Sequence, residues 1–231
     1  MKGHEFMSIF QSSEFWSPIW TSLQVAITAE IIVLCLGILA AKWMAKSRFR
    51  GKVVIETFLM LPIALPPSVV GFGLLVLFGN QSLIGQLINW LFHQPIIFTK
   101  AAAVVAVTVI AFPLMFQSVK NGFEAVDGDI EDAARIDGAG EGRLFISIIL
   151  PNAYPAILTG VILSFARALG EFGATLMFAG NIPGKTQTIP TAIYVAIDGH
   201  HMTLAWLWVI SIVIVSFLLL SIVYGRPKKL S

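Results

Sequence analysis

Long apolar stretches separated by short polar connections dominate the chain. A transmembrane helix needs about 20 consecutive apolar residues, and five stretches reach this length: 21–41, 53–78, 101–119, 148–178 and 203–223. A sixth apolar stretch, 82–92, has leucines at helical spacing but is too short to cross a hydrocarbon core of about 30 Å, so it is predicted to be an interfacial helix. The pattern predicts an all-α membrane bundle with about five transmembrane helices, forming a single domain over residues 1–231.

Two of these stretches are predicted to depart from a simple membrane-spanning helix. Residues 53–78 contain Pro62, Pro66 and Pro67, and each proline removes a backbone hydrogen-bond donor from a helix. Residues 148–178 exceed one membrane thickness, so this span must tilt, break or project from the bilayer. Such bends are tolerated in a membrane only where neighbouring helices or a water-filled path satisfy the freed carbonyl groups.

The composition supports a membrane protein and excludes several other classes. The chain is 57% hydrophobic and 12% charged, whereas soluble domains carry about 25% charged residues. This hydrophobicity excludes intrinsic disorder, and a single cysteine excludes a disulfide-stapled scaffold. A net charge of +2 does not suggest a nucleic-acid partner.

The distribution of basic residues predicts the orientation of the chain in the membrane. With the N-terminus outside, the outer connections contain three basic residues: Lys2, Lys100 and Lys185. The cytoplasmic side then receives eleven: Lys42, Lys46, Arg48, Arg50, Lys52, Lys120, Arg135, Arg143, Arg226, Lys228 and Lys229. Because basic residues concentrate on the cytoplasmic side of membrane proteins, we predict an outer N-terminus and a cytoplasmic C-terminus in a cell (inner) membrane.

The connection formed by residues 120–147, called the polar loop below, is the longest polar segment between two predicted spans. Asp129 is placed to cap a helix that begins at Ile130, and Gly138 can end this helix in the left-handed conformation. A second short helix is predicted from about Glu141 to Ser147. Two short helices rich in alanine and glycine offer a surface that another protein can approach closely. The alternative is a solvated connection without a partner.

The spacing within the polar loop resembles a known signature. Asp132-Ala133-Ala134, then Gly138, then Ile148, Leu150 and Pro151 match the pattern of permease subunits in binding-protein-dependent ABC importers, in which Glu is usual at the position of Asp132 and here Glu131 lies beside it. The resemblance implies a type I ABC importer permease fold with a loop that docks on a separate ATPase subunit. The loop residues that it implicates are Asp132, Ala133, Ala134, Gly138, Glu141, Gly142 and Arg143.

The chain lacks the Gly-x-x-x-x-Gly-Lys-Ser/Thr phosphate loop of an ATPase. It is therefore predicted to be a transport subunit and not an enzyme, with no cofactor of its own. The resemblance implies that ATP and Mg are used by the partner ATPase.

Two charges within the fourth predicted span require an explanation. An Arg or Glu at membrane depth costs at least about 2.5 kcal/mol on insertion scales, and Arg167 and Glu171 stand four residues apart, on one face of a helix. We predict that they pair inside the bundle, where the pair either stabilises helix packing or lines and gates a translocation path. Ser164, Thr175 and Asn181 are further candidates for the path, although each is also explained as an ordinary packing or loop residue. Glu30 is predicted to be a structural group that faces the bundle.

Residues 164–174 and 180–194 narrow the resemblance to the molybdate permease branch, and residues 61–71 are similar to its proline-rich second span. Sulfate and tungstate permeases are similar over the first of these segments, so they remain alternatives. The resemblance implies a homodimeric permease in a prokaryotic membrane, with two ATP-binding subunits and an extracytoplasmic molybdate-binding protein.

Two functions of other classes have little support in the sequence. An intramembrane enzyme would have to use Arg167 and Glu171 with His200 and His201, and these provide no converging acid, base and nucleophile. The two histidines and Asp198 are also too few for a metal site. A passive channel would not need a docking loop.

Overall fold

A computed structural model describes residues 12–224, without the side chains of 219 and 222–224. The predictions that concern Lys2, Arg226, Lys228 and Lys229 lie outside the described residues. Within this range the chain forms helices and no strand, which confirms the all-α prediction. The helices are α1 (Ser13–Ala45), α2 (Lys52–Ala64), α3 (Pro67–Phe78), α4 (Leu83–Phe92), α5 (Lys100–Glu124), α6 (Gly128–Ile136), α7 (Glu141–Leu144), α8 (Leu150–Asn152), α9 (Tyr154–Leu169), α10 (Gly173–Ala179), α11 (Ile189–Asp198) and α12 (Met202–Tyr224).

Helix α5 lies at the centre of the bundle. It packs along α1 and α9 and also contacts α2, α3 and α10. Its first half buries alanines at helical spacing, among them Ala102, Ala103 and Ala106, and small side chains let neighbouring helices approach closely in a membrane. Its second half buries the large side chains of Met115, Phe116, Val119 and Phe123. The helix remains continuous through Pro113.

The second predicted span is broken between α2 and α3, as its prolines predict. Leu65 and Pro66 each precede a proline, and both have extended backbone ψ angles of 147° and 135°; a following proline disfavours the helical region. Pro67 then occupies the first turn of α3, where a missing N–H is tolerated. The two helix axes are bent by 113°.

The fourth predicted span is also discontinuous. A π-helical turn at Phe145–Ile149 precedes α8, and the axis bends by 67° before α9. A second break at residues 170–172 separates α9 from α10. Helix α10 then packs against α3, so the second halves of the two broken spans lie together. Of the three possibilities predicted for this span (tilting, breaking or projecting from the bilayer), the structure shows a break, at two places.

The lengths of the helices indicate which of them can cross a membrane. Among the described residues, two helices (α1 and α5) are long and apolar enough to cross a bilayer, or four spans result if each bent pair counts as one. The predicted span 203–223 falls in α12, whose stretch Met202–Leu218 is apolar. The short helix predicted at 82–92 is present as α4 and exposes its large apolar side chains Leu83, Leu87 and Trp90.

A second apolar cluster joins α1, α11 and α12 at the end of the bundle opposite the polar loop. Trp208 is buried, stacks on Phe15 and donates a hydrogen bond from Nε1 to the Phe15 carbonyl at 3.0 Å. The amide of Ile189 donates to Ser22 Oγ at 2.8 Å. Trp206, two residues before Trp208, is exposed.

Candidate functional site

The polar loop folds into two short helices that turn at Gly138. Asp127 caps α6 because its side chain accepts a hydrogen bond from the amide of Asp129, so the prediction of Asp129 as the cap was wrong by two residues. Gly138 has a φ of +85°, the left-handed conformation predicted for it, and its amide donates to the Arg135 carbonyl at 3.0 Å. The second helix begins at Glu141, as predicted, and continues into the π-helical turn.

A charge network fastens the loop to the bundle. Glu131 is 2% exposed and forms an ion pair with Lys46, which directly follows α1. Arg135 lies 3.4 Å from the second oxygen of Glu131, and it bonds Asp132 and Glu141 at 2.8 Å each. The hydrogen bond from Arg135 to Glu141 is the main reason that the pKa of the Arg135 guanidinium is raised above its ordinary value. Arg135 is therefore a permanent cation that joins α6 to α7.

The two acidic residues at the start of the signature have different surroundings. Glu131 points into the bundle, whereas the side chain of Asp132 is 73% exposed and pairs with Arg135 at the surface. Asp132 thus lies on the outward surface together with Ala133, while Ala134 is half-buried and packs against the main core. The signature residues therefore divide between a side that faces the bundle and a side that faces solvent.

The outward side of α6 carries an apolar row that the sequence analysis did not single out. Ile130 is 48% exposed, Ile136 is 87% exposed, and Ala133 lies between them at helical spacing. Gly138, Glu141, Gly142 and Arg143 continue this exposed surface across the turn. The sequence carried a signal for this row: Ile130, Ala133 and Ile136 recur every three residues among polar neighbours, as on one face of an amphipathic helix. Apolar side chains that share an exposed face indicate an interaction surface.

Arg167 and Glu171 form the predicted pair, with Arg167 Nη1 2.7 Å from Glu171 Oε2. They do not share a helix, because α9 ends at Leu169 and Glu171 lies in the break before α10. The other oxygen of Glu171 accepts a hydrogen bond from the Ala174 amide at 2.7 Å. Glu171, which is 2% exposed, therefore both pairs with Arg167 and caps α10.

Ser164 is fully buried and contacts Glu30 on α1. Its Oγ lies 2.9 Å from both carboxylate oxygens of Glu30 and 2.7 Å from the Gly160 carbonyl. Glu30 is 8% exposed, which confirms that it faces the bundle. In this conformation the hydroxyl of Ser164 is occupied by an interhelical contact between α1 and α9.

The remaining candidates for a path differ in burial. Thr175, in α10, is fully buried, and its hydroxyl has no hydrogen-bond partner within the described part of the chain. Asn181 follows α10 and is half-buried, with its side-chain oxygen likewise unpaired among residues 12–224. Over the described residues, no group of three His, Cys, Asp or Glu side chains is arranged to hold a metal ion.

Comparison with known families identifies the chain from its sequence. The family model of the "Binding-protein-dependent transport system inner membrane component" matches residues 33–226, which is most of the chain. The chain belongs to this family of inner membrane transport components. The match includes the polar loop and both broken spans, and it confirms that this inner membrane component is a transport subunit and not an enzyme.

Relatives of this inner membrane component come from several bacteria. YvgM of Bacillus subtilis (strain 168), which is provisionally named a molybdenum transport system permease protein, is 60% identical over 92% of this chain and 94% of its own length. The molybdenum transport system permease protein ModB of Escherichia coli (strain K12) is 42% identical over 89% of this chain and 90% of its own length.

A solved structure shows the same fold. A chain of a bacterial alginate ABC transporter, crystallised with a periplasmic protein that holds an alginate pentasaccharide, matches with a TM-score of 0.79 at 15% identity. The alignment covers 99% of this chain and 83% of the alginate transporter chain. The inner membrane component therefore has the fold of an ABC importer permease, as its sequence signature predicts.

Proposed function

We propose that this chain is the permease subunit of an ATP-driven importer that moves molybdate into the cytoplasm of a prokaryote. Molybdate is the favoured substrate because relatives at 60% and 42% identity are named for molybdenum transport. The energy comes from two ATP-binding subunits, which use ATP and Mg, and the substrate arrives on an extracytoplasmic molybdate-binding protein.

The observation that carries this proposal is the exposed apolar row on α6. Ile130, Ala133 and Ile136 face away from the bundle on a helix whose other exposed side chains, Asp129, Asp132 and Arg135, are charged. A row of this kind fits a groove in a partner protein. Asp132, Gly138, Glu141, Gly142 and Arg143 flank the row, and we assign all of them to the surface that docks on the ATP-binding subunit. The excess of basic residues at this end of the bundle supports a cytoplasmic location for the docking surface.

Two copies of the chain form the transport path at their interface. Helix α2 supports this arrangement because none of its residues is buried and its apolar side chains Val53, Val54 and Phe58 are more than 70% exposed. A path between two copies related by a two-fold axis would run beside the broken spans.

Within each copy, we assign Arg167, Glu171, Ser164, Thr175 and Asn181 as candidate residues of the path or its gate. The unpaired hydroxyl of Thr175 can donate a hydrogen bond to an oxyanion, and so can the side-chain NH2 group of Asn181. The Arg167–Glu171 pair lies at the break between α9 and α10. The backbone at such a break can act as a hinge, so the two helices can change their relative orientation there.

The test is uptake of labelled molybdate by proteoliposomes that contain the permease, the ATP-binding subunits and the binding protein. Uptake should require ATP, and unlabelled molybdate should compete more strongly than sulfate or tungstate. Equal uptake with and without ATP would refute the importer. If sulfate or tungstate competed more strongly than molybdate, that anion would be the preferred substrate instead.

A further inference from the structure

The end of α1 contacts the polar loop on both sides of its turn. Lys46 forms an ion pair with Glu131 in α6. Lys42, one helical turn earlier, places its Nζ 3.9 Å from the centre of the Phe145 ring, in the π-helical turn that follows α7. One helix end therefore holds both halves of the loop through cations.

Glu131 is the main anchor of α6. Among the nine residues of this helix it is the one that is buried, and the rest of α6 is partly or fully exposed. A cavity of about 240 Å³ lies between α1 and the loop, lined by Lys42, Lys46, Glu131 and Phe123 among others, so close apolar packing does not fill this junction. Apart from the packing of Ala134 against the core, the Lys46–Glu131 ion pair is therefore the main contact that fixes α6 against α1 among the described residues.

The same helix reaches the other end of the bundle. Helix α1 has 33 residues, which corresponds to a length of about 50 Å at 1.5 Å per residue. At its far end the Phe15 carbonyl accepts a hydrogen bond from Trp208, and Ser22 accepts one from Ile189. Helix α1 thus connects the polar loop to the cluster formed with α11 and α12.

We propose that the Lys46–Glu131 ion pair transmits movement of the docking surface to α1, and through α1 to the opposite end of the bundle. Glu131 is then a positioning residue: it does not touch the substrate or the ATP-binding subunit, and it keeps α6 attached to α1 while the exposed row on α6 is moved. This role rests on the proposed function as an ATP-driven importer.

An ion pair suits this task because Glu131 is buried, and loss of the Lys46 cation leaves, among the described residues, only Arg135, 3.4 Å from the other carboxylate oxygen, to compensate its charge, which is costly. The link therefore resists separation of α6 from α1. Arg135 extends the link to Glu141, so α6 and α7 move together.

Charge exchange tests the link in the reconstituted complex. The variants are Lys46→Glu, Glu131→Lys and the double exchange, and the measured quantity is the number of ATP molecules hydrolysed per molybdate imported. We expect this ratio to rise about tenfold or more in each single variant, because two like charges then face each other at the buried position 131, and to fall part of the way towards the wild-type ratio in the double exchange, where Arg135 still lies beside position 131. Arg48→Glu is the matched control: it makes the same charge change two residues from Lys46, at an exposed position without an ion pair in the described part of the chain. It should leave the ratio unchanged.

A second measurement does not depend on transport. Amide hydrogen exchange of the purified permease should become faster over α6 in Glu131→Lys, remain unchanged over α5, and slow again in the double exchange. The link would be overturned if the single variants had the wild-type ratio of ATP hydrolysed to molybdate imported. It would also be overturned if the double exchange had a ratio as high as that of the single variants. Unchanged exchange over α6 in Glu131→Lys would overturn it as well. A wild-type complex that imports without ATP would instead refute the proposed function, and the exchange data would still decide whether the pair holds α6.

Discussion

Replacing Arg167 with alanine is expected to destabilise the protein more than replacing Arg167 and Glu171 together. The guanidinium of Arg167 lies 2.7 Å from the carboxylate of Glu171, and Glu171 is 2% exposed. The single change leaves this carboxylate buried without its cation. The double change removes both charges, so it avoids the cost of burying an unpaired anion.

The size of the difference follows from the contacts. Removing one partner of a buried ion pair costs about 3–5 kcal/mol of unfolding free energy. The side chain of Arg167 is 30% exposed, so water can approach the vacated position, and we expect the lower value of about 3 kcal/mol for Arg167→Ala. The double variant instead loses the cap on the Ala174 amide, which is worth about 1 kcal/mol. The predicted gap between the two variants is about 2 kcal/mol.

The measurement is equilibrium unfolding of the purified permease in mixed detergent micelles, followed by circular dichroism of the helices. Two matched variants separate the contributions. Arg167→Lys keeps a cation near Glu171 and should lose less stability than Arg167→Ala. Arg167→Ala combined with Glu171→Gln removes both charges and keeps an oxygen that can accept from the Ala174 amide, so it should be more stable than the double alanine variant.

One result would refute this reasoning directly. If the double alanine variant were less stable than Arg167→Ala, the two side chains would contribute independently and the pair would not be the source of stability. An Arg167→Ala variant as stable as the wild type would show that the carboxylate of Glu171 is not penalised by burial. Either outcome would favour separate functional roles for the two residues.

Three further variants test other contacts, each by the same unfolding measurement or by transport. Gly71→Ala should cost about 1–3 kcal/mol, because its Cβ would lie 2.7 Å from a backbone atom of α10, whereas Gly73→Ala meets no atom within 4 Å and should be neutral; equal effects would contradict the close packing of α3 on α10. Gly138→Pro should abolish uptake while ATP hydrolysis continues, since proline cannot adopt the φ of +85°; normal uptake would remove Gly138 from the docking surface. Ser164→Ala should cost about 1–3 kcal/mol because it removes the partner of Glu30, and an unchanged stability would mean that Glu30 finds another partner.

The sequence predicts those breaks and turns of this fold that depend on residues adjacent in the chain. The break between α2 and α3 follows from two consecutive prolines, and the turn of the polar loop follows from Gly138. The 113° bend at the prolines was not predictable, because proline removes hydrogen bonds without choosing a direction. The direction is set by the packing of α3 on α10, which lies about a hundred residues further along the chain.

Competition between similar residues explains the local predictions that were wrong. Asp127 and Asp129 are both good caps, and nothing in their immediate sequence distinguishes them, whereas a start at Gly128 places Glu131 against α1. Arg167 and Glu171 keep their contact although the helix ends between them, because Glu171 gains a second role as the cap of α10. The pairing was predictable from charge, and the length of the span indicated a break as one of three possibilities, but the position of the break between these two residues was not predictable.

The interior polar groups show why a site in a membrane protein has to be assigned as a set. Sequence reasoning treats Glu30 as a structural carboxyl without naming its partner, and treats Ser164 as a candidate donor for a transported anion. The structure joins these two residues across 134 positions. Since an unpaired polar group is costly in hydrocarbon, every donor assigned to a substrate must first be free of an internal acceptor. Ser164 fails this condition in the present conformation, whereas Thr175 meets it among the described residues. Any path in which Ser164 contacts the anion must therefore provide a second conformation that separates α9 from α1 and supplies Glu30 with another partner.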